Sequence, residues 1–265
     1  MAVDDSTETP RTSRWRALLP AGLLFVLSLA AWQIAVTVLD VPVYIVPSPI
    51  QIGQELIDSG ASLASDLGWT MLEAVLGFGV GSGIAFLAAV VFVHAPMIER
   101  AAFPWAIMLQ TIPIIAIAPL LTIWFGFTLV PKVVIAAIIC FFPVLVNTVR
   151  GLRSVSGQAL ELMSVLSART SSVFWRLRVP SSLPYVFAGL RVAATLSVIG
   201  AIVAEFTGAD RGIGFVIVQA SYRIDTRLMF AGIALSSLGG IGFFGIIGWI
   251  EKSILRWPDA RVSVS

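Results

Sequence analysis

The sequence is short of charge, cysteine and histidine. Asp, Glu, Lys and Arg make up 12% of its 265 residues, about half the share usual in a soluble domain. Hydrophobic residues reach 58%, more than a core of this size can hide, which excludes a soluble globular chain. One cysteine, Cys140, lies inside an apolar run, so no internal disulfide constrains the fold. One histidine, His94, leaves no His-based metal cluster. It sits beside Ala95-Pro96 at the end of an apolar stretch, as an interfacial side chain rather than the base of a hydrolase. No Gly-x-x-x-x-Gly-Lys-[Ser/Thr] occurs, so the chain has no phosphate loop for ATP. Seventeen Lys and Arg against fifteen Asp and Glu leave +2, too little for a nucleic-acid partner.

What is present is a series of long apolar runs. Six can be marked, at 17–38, 70–93, 101–123, 133–149, 183–206 and 228–250, each near the length that crosses a bilayer as a helix. They predict an all-α polytopic membrane protein with six transmembrane helices across 17–250. The first run follows Arg11, Arg14 and Arg16, and Leu29-Ala30-Ala31 offers a cleavage site. It is longer than the h-region of a signal peptide and contains Pro20 and Gln33, so it reads as a retained helix. Residues 1–16 read as a disordered polar tail, and 251–265 as a second tail.

Orientation follows from Lys and Arg in the flanks. With the N-terminus inside, the inner segments hold twelve: Arg11, Arg14, Arg16, Arg100, Arg150, Arg153, Arg169, Arg176, Arg178, Lys252, Arg256 and Arg261. The outer segments hold four, Lys132, Arg211, Arg223 and Arg227. Both termini are therefore expected in the cytoplasm of a multi-pass plasma (inner) membrane protein. The outer segment 39–68 contains Val46-Pro47-Ser48-Pro49 and an apolar/polar stretch from Ile50 to Leu56 suited to the membrane surface. The longest inner connection is 150–182, far longer than usual between helices, so it is expected to fold and to act.

Within the spans, Gly77/Gly81 and Gly79/Gly83 are spaced for close helix packing, and Gly239, Gly242, Gly245 and Gly248 for a narrow ridge on the last span. Glu73 and Glu205 lie near outer ends, Gln110 near the middle of span three, Asn147 and Arg191 in the inner halves of spans four and five. Such groups either line a permeation path or make helix–helix hydrogen bonds. Gln110 is the stronger path residue, because Thr111 and Pro113 follow it and Pro113 and Pro119 can kink the span. Asn147 and Arg191 lean toward helix contact. Glu205 has a second reading, as a contact for a protein docked on the outer face.

In the 150–182 connection, Leu162, Met163, Val165 and Leu166 precede Ser167, and Val173, Phe174 and Leu177 follow it at helical spacing. Ser suits a turn or the cap of the next helix. On composition this is either an amphipathic helix held to anionic lipid by arginines or a docking surface for a partner. Its spacing resembles the EAA loop of permease subunits of ATP-binding-cassette (ABC) importers: Glu-Ala-Ala, three residues, Gly, nine residues, Ile-x-Leu-Pro. Glu161-Leu162-Met163, Ser167 and Leu177-Arg178-Val179-Pro180 fall at those offsets, with Leu162 and Met163 at the alanines and Ser167 at the glycine. The flanks extend the resemblance over about Val46 to Trp257. They include Ile112-Pro113, Ala118-Pro119-Leu120-Leu121, Trp124-Phe125-Gly126, Phe141-Phe142-Pro143, Gly189-Leu190-Arg191, Ala204-Glu205 and Gly212-Ile213-Gly214. Together they are similar to permeases for nitrate, sulfonates, taurine and the pyrimidine precursor of thiamine.

The resemblance implies a type I importer permease that is not itself an enzyme and holds no cofactor. ATP would be bound by two separate ATPase subunits. A second permease copy, an extracytoplasmic solute-binding protein and membrane lipid complete its partners. Glu161, Leu162, Met163, Val165 and Leu166 would dock the ATPase, Ser167 would set the turn, and Leu177 and Pro180 would return the chain to span five. Gln110, Thr111, Pro113, Asn147 and Glu205 are the path residues. Arg191 is the cation embedded in a span, while Gln110, Asn147, Trp105, Trp124 and Phe142 suit a small aromatic heterocycle, such as a thiamine pyrimidine precursor or a riboflavin-like compound. An aliphatic sulfonate, taurine or nitrate is the alternative. A stand-alone channel or secondary transporter is the rival class; it would show internal repeats or a charged relay, and neither is found.

Overall fold

A chain in lipid must satisfy its backbone internally, and the described part of this one does so with helices and the short turns between them. The computed structural model describes residues 14–255. The expected tail at 1–13 and the last residues, 256–265, lie outside them; 14–16 already belong to the first helix. In chain order the elements are α1 (Arg14–Val38), α2 (Pro49–Asp58), α3 (Gly60–His94), α4 (Pro96–Thr111), α5 (Ile114–Phe125), α6 (Leu129–Leu152), α7 (Gly157–Val165), α8 (Thr170–Val173), a π turn (Phe174–Arg178), α9 (Val179–Glu205), α10 (Ile213–Tyr222) and α11 (Thr226–Ile254).

Five segments are long and apolar enough to cross a membrane, and a sixth if α4 and α5 count as one bent span. The bend is 93°. Three features of the sequence produce it. The Thr111 hydroxyl donates to the carbonyl of Met108 at 2.8 Å, competing with the helical ladder. Ile112 precedes proline and is held extended, at φ −68°, ψ 127°. Pro113 has no N–H to continue the ladder. Pro119 was the other expected kink, yet α5 runs through it unbroken. Neither α4, about 24 Å long, nor α5, about 18 Å, spans a hydrocarbon core of about 30 Å alone.

Span edges differ most from the hydropathy reading in two places. α3 begins at Gly60 rather than 70, because Ser62, Ser65 and Asp66 are polar but compatible with helix. The fifth helix begins at Thr170 rather than 183, since α8, the π turn and α9 follow one another without a break. α2 is the predicted amphipathic segment. It starts in a capping box, in which the Ser48 hydroxyl accepts the N–H of Gln51 and the Gln51 side chain accepts the N–H of Ser48. α2 packs on α11 and buries Ile52. α1 stands at the periphery, joined to α2 by Gln33 Oε1 accepting the N–H of Ile50 and to α11 by Trp32 against Phe230.

The core of the molecule is the trio α3, α6 and α9. A Cβ at Gly77 would collide with Ala136, and one at Gly81 with the backbone of Ala137. Gly200 of α9 meets Ala136 from the other side, and Gly189 lies under Pro143 and Asn147. This is the close packing read from the sequence, but only one of the two expected pairs makes it. Gly79 and Gly83 have nothing within 4 Å. Two residues along a helix turn the chain by about 200°, so the second pair faces away. The expected ridge on α11 is also incomplete: Gly239 meets Leu67 and Met71, and Gly248 meets Arg191, whereas Gly242 and Gly245 face open space. Steps of three residues drift around the helix and cannot keep four glycines on one line.

These contacts set a clear expectation. Gly81→Ala drives a methyl into the Ala137 carbonyl and should destabilise the protein by about 1–3 kcal/mol. Gly79→Ala should stay within about 0.5 kcal/mol of wild type. Thermal unfolding in detergent compares them; equal stability of the two variants would refute the packing assigned to this face.

Candidate functional site

The connection 150–182 folds into a projecting hairpin of short helices. The Ser156 hydroxyl caps α7 by accepting the N–H of Ala159 at 3.3 Å. At the other end Ser167 takes φ +51°. Its N–H donates to the carbonyl of Ser164, and Ala168 N–H donates to that of Met163, at 2.9 and 3.0 Å. That pair of bonds is a Schellman stop, which needs a left-handed residue at the position Ser167 fills. Of the two roles expected for Ser167, it takes the turn; α8 has no side-chain cap. α7 buries no residue and packs closely on no other helix of the described chain. Leu162, Val165 and Leu166 are 60, 82 and 66% exposed. Glu161 is exposed beside them, and Met163 is half-buried.

Leu177 and Pro180 lie at the base of this hairpin and do not form a second turn. Pro180 sits in the first turn of α9, and the preceding residues widen into the π turn, where Val179 N–H reaches back to the carbonyl of Phe174. Pro180 lacks the N–H that the carbonyl of Arg176 would accept in an α-helix, and a wider turn relieves that mismatch. The return to span five, which the motif assigns to Leu177 and Pro180, is a continuous helix with one irregular turn. Where the hairpin leaves α6, the two terminal guanidinium nitrogens of Arg153 donate to Glu99 of α4, at 2.8 and 2.5 Å.

Three of the five path residues gather at the bend. Gln110, Thr111 and Pro113 are all exposed there, with Trp105 and Trp124 exposed on either side. Asn147 is half-buried, donates to the carbonyl of Pro143 in its own helix at 2.8 Å, and faces Gly189 of α9. Arg191 pairs with Glu251 of α11 at 2.6 Å and lies over the ring of Phe244. Arg191 thus bonds between helices, whereas the Asn147 hydrogen bond stays within α6. Glu205 does not sit on an open face: only 2% of it is exposed, so contact with a docked protein is not available to it here.

Glu205 belongs to a buried polar network at the end of the molecule away from the hairpin. Lys132, counted from sequence as part of an outer connection, lies inside α6, with its amine 3.0 Å from Glu73 Oε1 and both side chains buried. Glu205 Oε1 accepts the Thr70 hydroxyl at 2.7 Å, and Oε2 accepts Gly214 N–H at 2.5 Å. Thr70 in turn accepts Ile213 N–H, and Asp66 accepts Gly212 N–H, at 2.8 and 2.9 Å. The first donors of α10, which a helix start leaves without partners, are thus satisfied by side chains of α3 and α9. Gly212, at φ +102°, is pressed so closely on the Glu205 carboxyl that no side chain fits. The sequence contains all the parts, namely charged residues within or beside apolar runs and Gly212-Ile213-Gly214 before an apolar run, but nothing local joins them.

Residues 81–256 match the family described as the binding-protein-dependent transport system inner membrane component. The chain belongs to this family. The permease is 36% identical over 244 residues to the formylaminopyrimidine transport permease protein of Halalkalibacterium halodurans, covering 92% of this chain and 97% of that one. It is 33% identical to the riboflavin transport system permease protein of Chloroflexus aurantiacus, over 92% and 91% of the two chains. It is 27% identical to the taurine transport system permease protein of Escherichia coli, over 93% and 94%. This is an ABC importer permease of the binding-protein-dependent type, an all-α multi-pass membrane protein.

Two expectations follow from the geometry. Lys132→Met leaves Glu73 buried without its cation and should cost about 3–5 kcal/mol, much of it recovered by adding Glu73→Gln; detergent melts of the single and double variants test this. Ser167→Gly should stabilise the hairpin or leave it unchanged, while Ser167→Val should lose about 1–2 kcal/mol because a branched side chain resists the left-handed region. Protease cleavage within 156–170 reads the difference, and equal cleavage of both variants would refute the turn.

Proposed function

We propose that α7 is the surface on which a separate ATPase subunit docks, and that this permease works as a pair of copies above two such subunits. One observation carries the reading: a helix stopped at both ends by its own hydrogen bonds holds Leu162, Val165 and Leu166 uncovered, beside Glu161. A chain gains nothing from ordering an apolar helix in water unless something covers it. The spacing of Glu161, Ser167 and Pro180 supports an ATPase as that cover, as does membership of an ABC importer family. ATP-driven closure of the ATPase pair would push on α7, and the helices above it would open the path outward to accept solute from an extracytoplasmic binding protein. Hydrolysis would return it inward. The Lys and Arg count supports a cytoplasmic side for both termini. The burial of Lys132 in α6 removes one cation from the outer count, leaving Arg211, Arg223 and Arg227.

For the solute we propose a small aromatic heterocycle. Arg191 and Lys132 are both held in ion pairs, so neither offers a free cation to an anion. Trp105 and Trp124 are exposed around the bend with Gln110 and Thr111, a combination that suits stacking with a few polar contacts. The relatives at 36% and 33% identity are named for a pyrimidine and for riboflavin, while the one named for taurine stands at 27%. A sulfonate remains the second reading on the strength of that relative.

The test is purification of the tagged protein in mild detergent from its native membranes, with mass spectrometry of what it retains. Wild type should hold an ATPase subunit. Glu161→Lys should weaken that association, and replacement of 161–166 by Ser and Gly should abolish it at unchanged permease yield. An ATPase retained equally by all three would refute α7 as the docking surface. The binding protein that co-purifies can then be titrated with hydroxymethyl- and formylaminopyrimidines, riboflavin and taurine to decide the solute class.

A further inference from the structure

Between the exposed α7 and the membrane helices the hairpin has one deeply inserted side chain. Phe174 is 8% exposed, although its neighbour Trp175 is 64% exposed. Its ring enters the cluster that contains Phe92 of α3, Val149 and Leu152 of α6 and Ala193 of α9. It meets the His94 ring edge-on at 5.0 Å, at the last residue of α3. His94 is itself fixed by a bond between Nδ1 and the carbonyl of Val90 at 2.8 Å. Phe174 is also the first residue of the π turn, and its carbonyl accepts the N–H that closes the wide turn from Val179. The hairpin's other root, Arg153–Glu99, is a half-exposed ion pair that solvent weakens. The one apolar, enclosed link between hairpin and helix trio is therefore located at an irregular helical turn, a geometry that recurs where helices change shape.

We infer that Phe174 is the positioning residue through which movement of α7 reaches the membrane helices, with the π turn 174–178 as the joint. The inference rests on α7 being the ATPase docking surface. A π turn holds one residue more than the α turn it replaces, so a push on α7 can be taken up by shifting that residue along the helix. Phe174, set against His94 and within the cluster of Val149, Leu152 and Ala193, converts the shift into displacement of α3, α6 and α9 together. Trp175 faces outward and serves as the residue the joint can release.

The experiment uses the permease co-purified with its ATPase and a single reporter, Thr111→Cys at the bend, labelled with a maleimide; native Cys140 is fully buried and gives little background. In the reporter parent the labelling rate should differ roughly fivefold or more between the nucleotide-free and the ATP–vanadate states. With Phe174→Ala added, the ATPase should still co-purify and hydrolyse ATP, while the nucleotide-dependent difference falls to within about twofold. Phe174→Leu, which refills the socket, should restore it. Deletion of Trp175, which converts the π turn to an α turn but keeps Phe174, should also abolish the response. A parent-like response in Phe174→Ala overturns the inference. So does loss of the ATPase from Phe174→Ala, which would make the ring a support for the docking surface rather than a transmitter. If the parent itself retains no ATPase, the docking reading fails, and this inference falls with it.

Discussion

Where Gly81 of α3 passes Ala137 of α6, and Gly200 of α9 passes Ala136, the backbones meet with almost no side chain between them. In a bilayer the lipid tails are as apolar as leucine, so apolar burial alone gives helices little reason to associate; close backbone contact supplies it instead. Ala136 and Ala137 are gripped from two sides, by α3 and by α9. The three helices therefore behave as one body, since any slide or rotation of one would drive backbone into backbone. A Leu-rich interface could repack around such a movement, but this one cannot.

That stiffness is what makes the far-end network possible. A lysine and two glutamates within apolar helices would be costly against lipid. Here the trio encloses them, each with a partner: Lys132 with Glu73, and Glu205 with Thr70 and Gly214. Removing one member would strand another, which is why such a group survives only as a set. In return it fixes α10, a helix too short to cross the membrane, by satisfying the N–H groups at its start. α11 is tied to the same body at the opposite end by Arg191 and Glu251. Charges that look like path residues in a one-dimensional reading are engaged here in bonds between helices.

The sequence disclosed the parts of this arrangement that depend on local chemistry. Apolar length marked the spans, Pro113 marked the bend although Pro119 was marked with it, the apolar/polar pattern after Pro49 marked α2, and the offset from Glu161 to Ser167 marked the turn. It misled where helix and hydropathy part company. Asp66, Arg176 and Arg178 interrupt an apolar run but not a helix, so α3 and the fifth helix were drawn too short. It was silent where partners are distant in the chain: Lys132 lies 59 residues from Glu73, and nothing in the local sequence of either distinguishes a buried pair from two end groups. The glycines show the same limit. Their spacing indicates that a close face exists, and only the packing shows whether it is the face of Gly77 and Gly81 or that of Gly79 and Gly83.

A rigid trio also restricts where a solute path can open. If α3, α6 and α9 move together, change of shape must come from elements outside the trio, and the described chain has two irregular places that allow it. One is the 93° bend at Ile112–Pro113, where the backbone ladder is interrupted and Gln110, Thr111, Trp105 and Trp124 are uncovered. The other is the π turn beneath α7, where the ladder is stretched rather than broken. The first is exposed on the surface of the bundle, and the second lies at the root of the connection that carries α7. A body that transmits displacement without absorbing it, set between two compliant points, has the mechanical form of a lever. In that form small residues matter as much as large ones, because glycine at the contacts keeps the lever from bending.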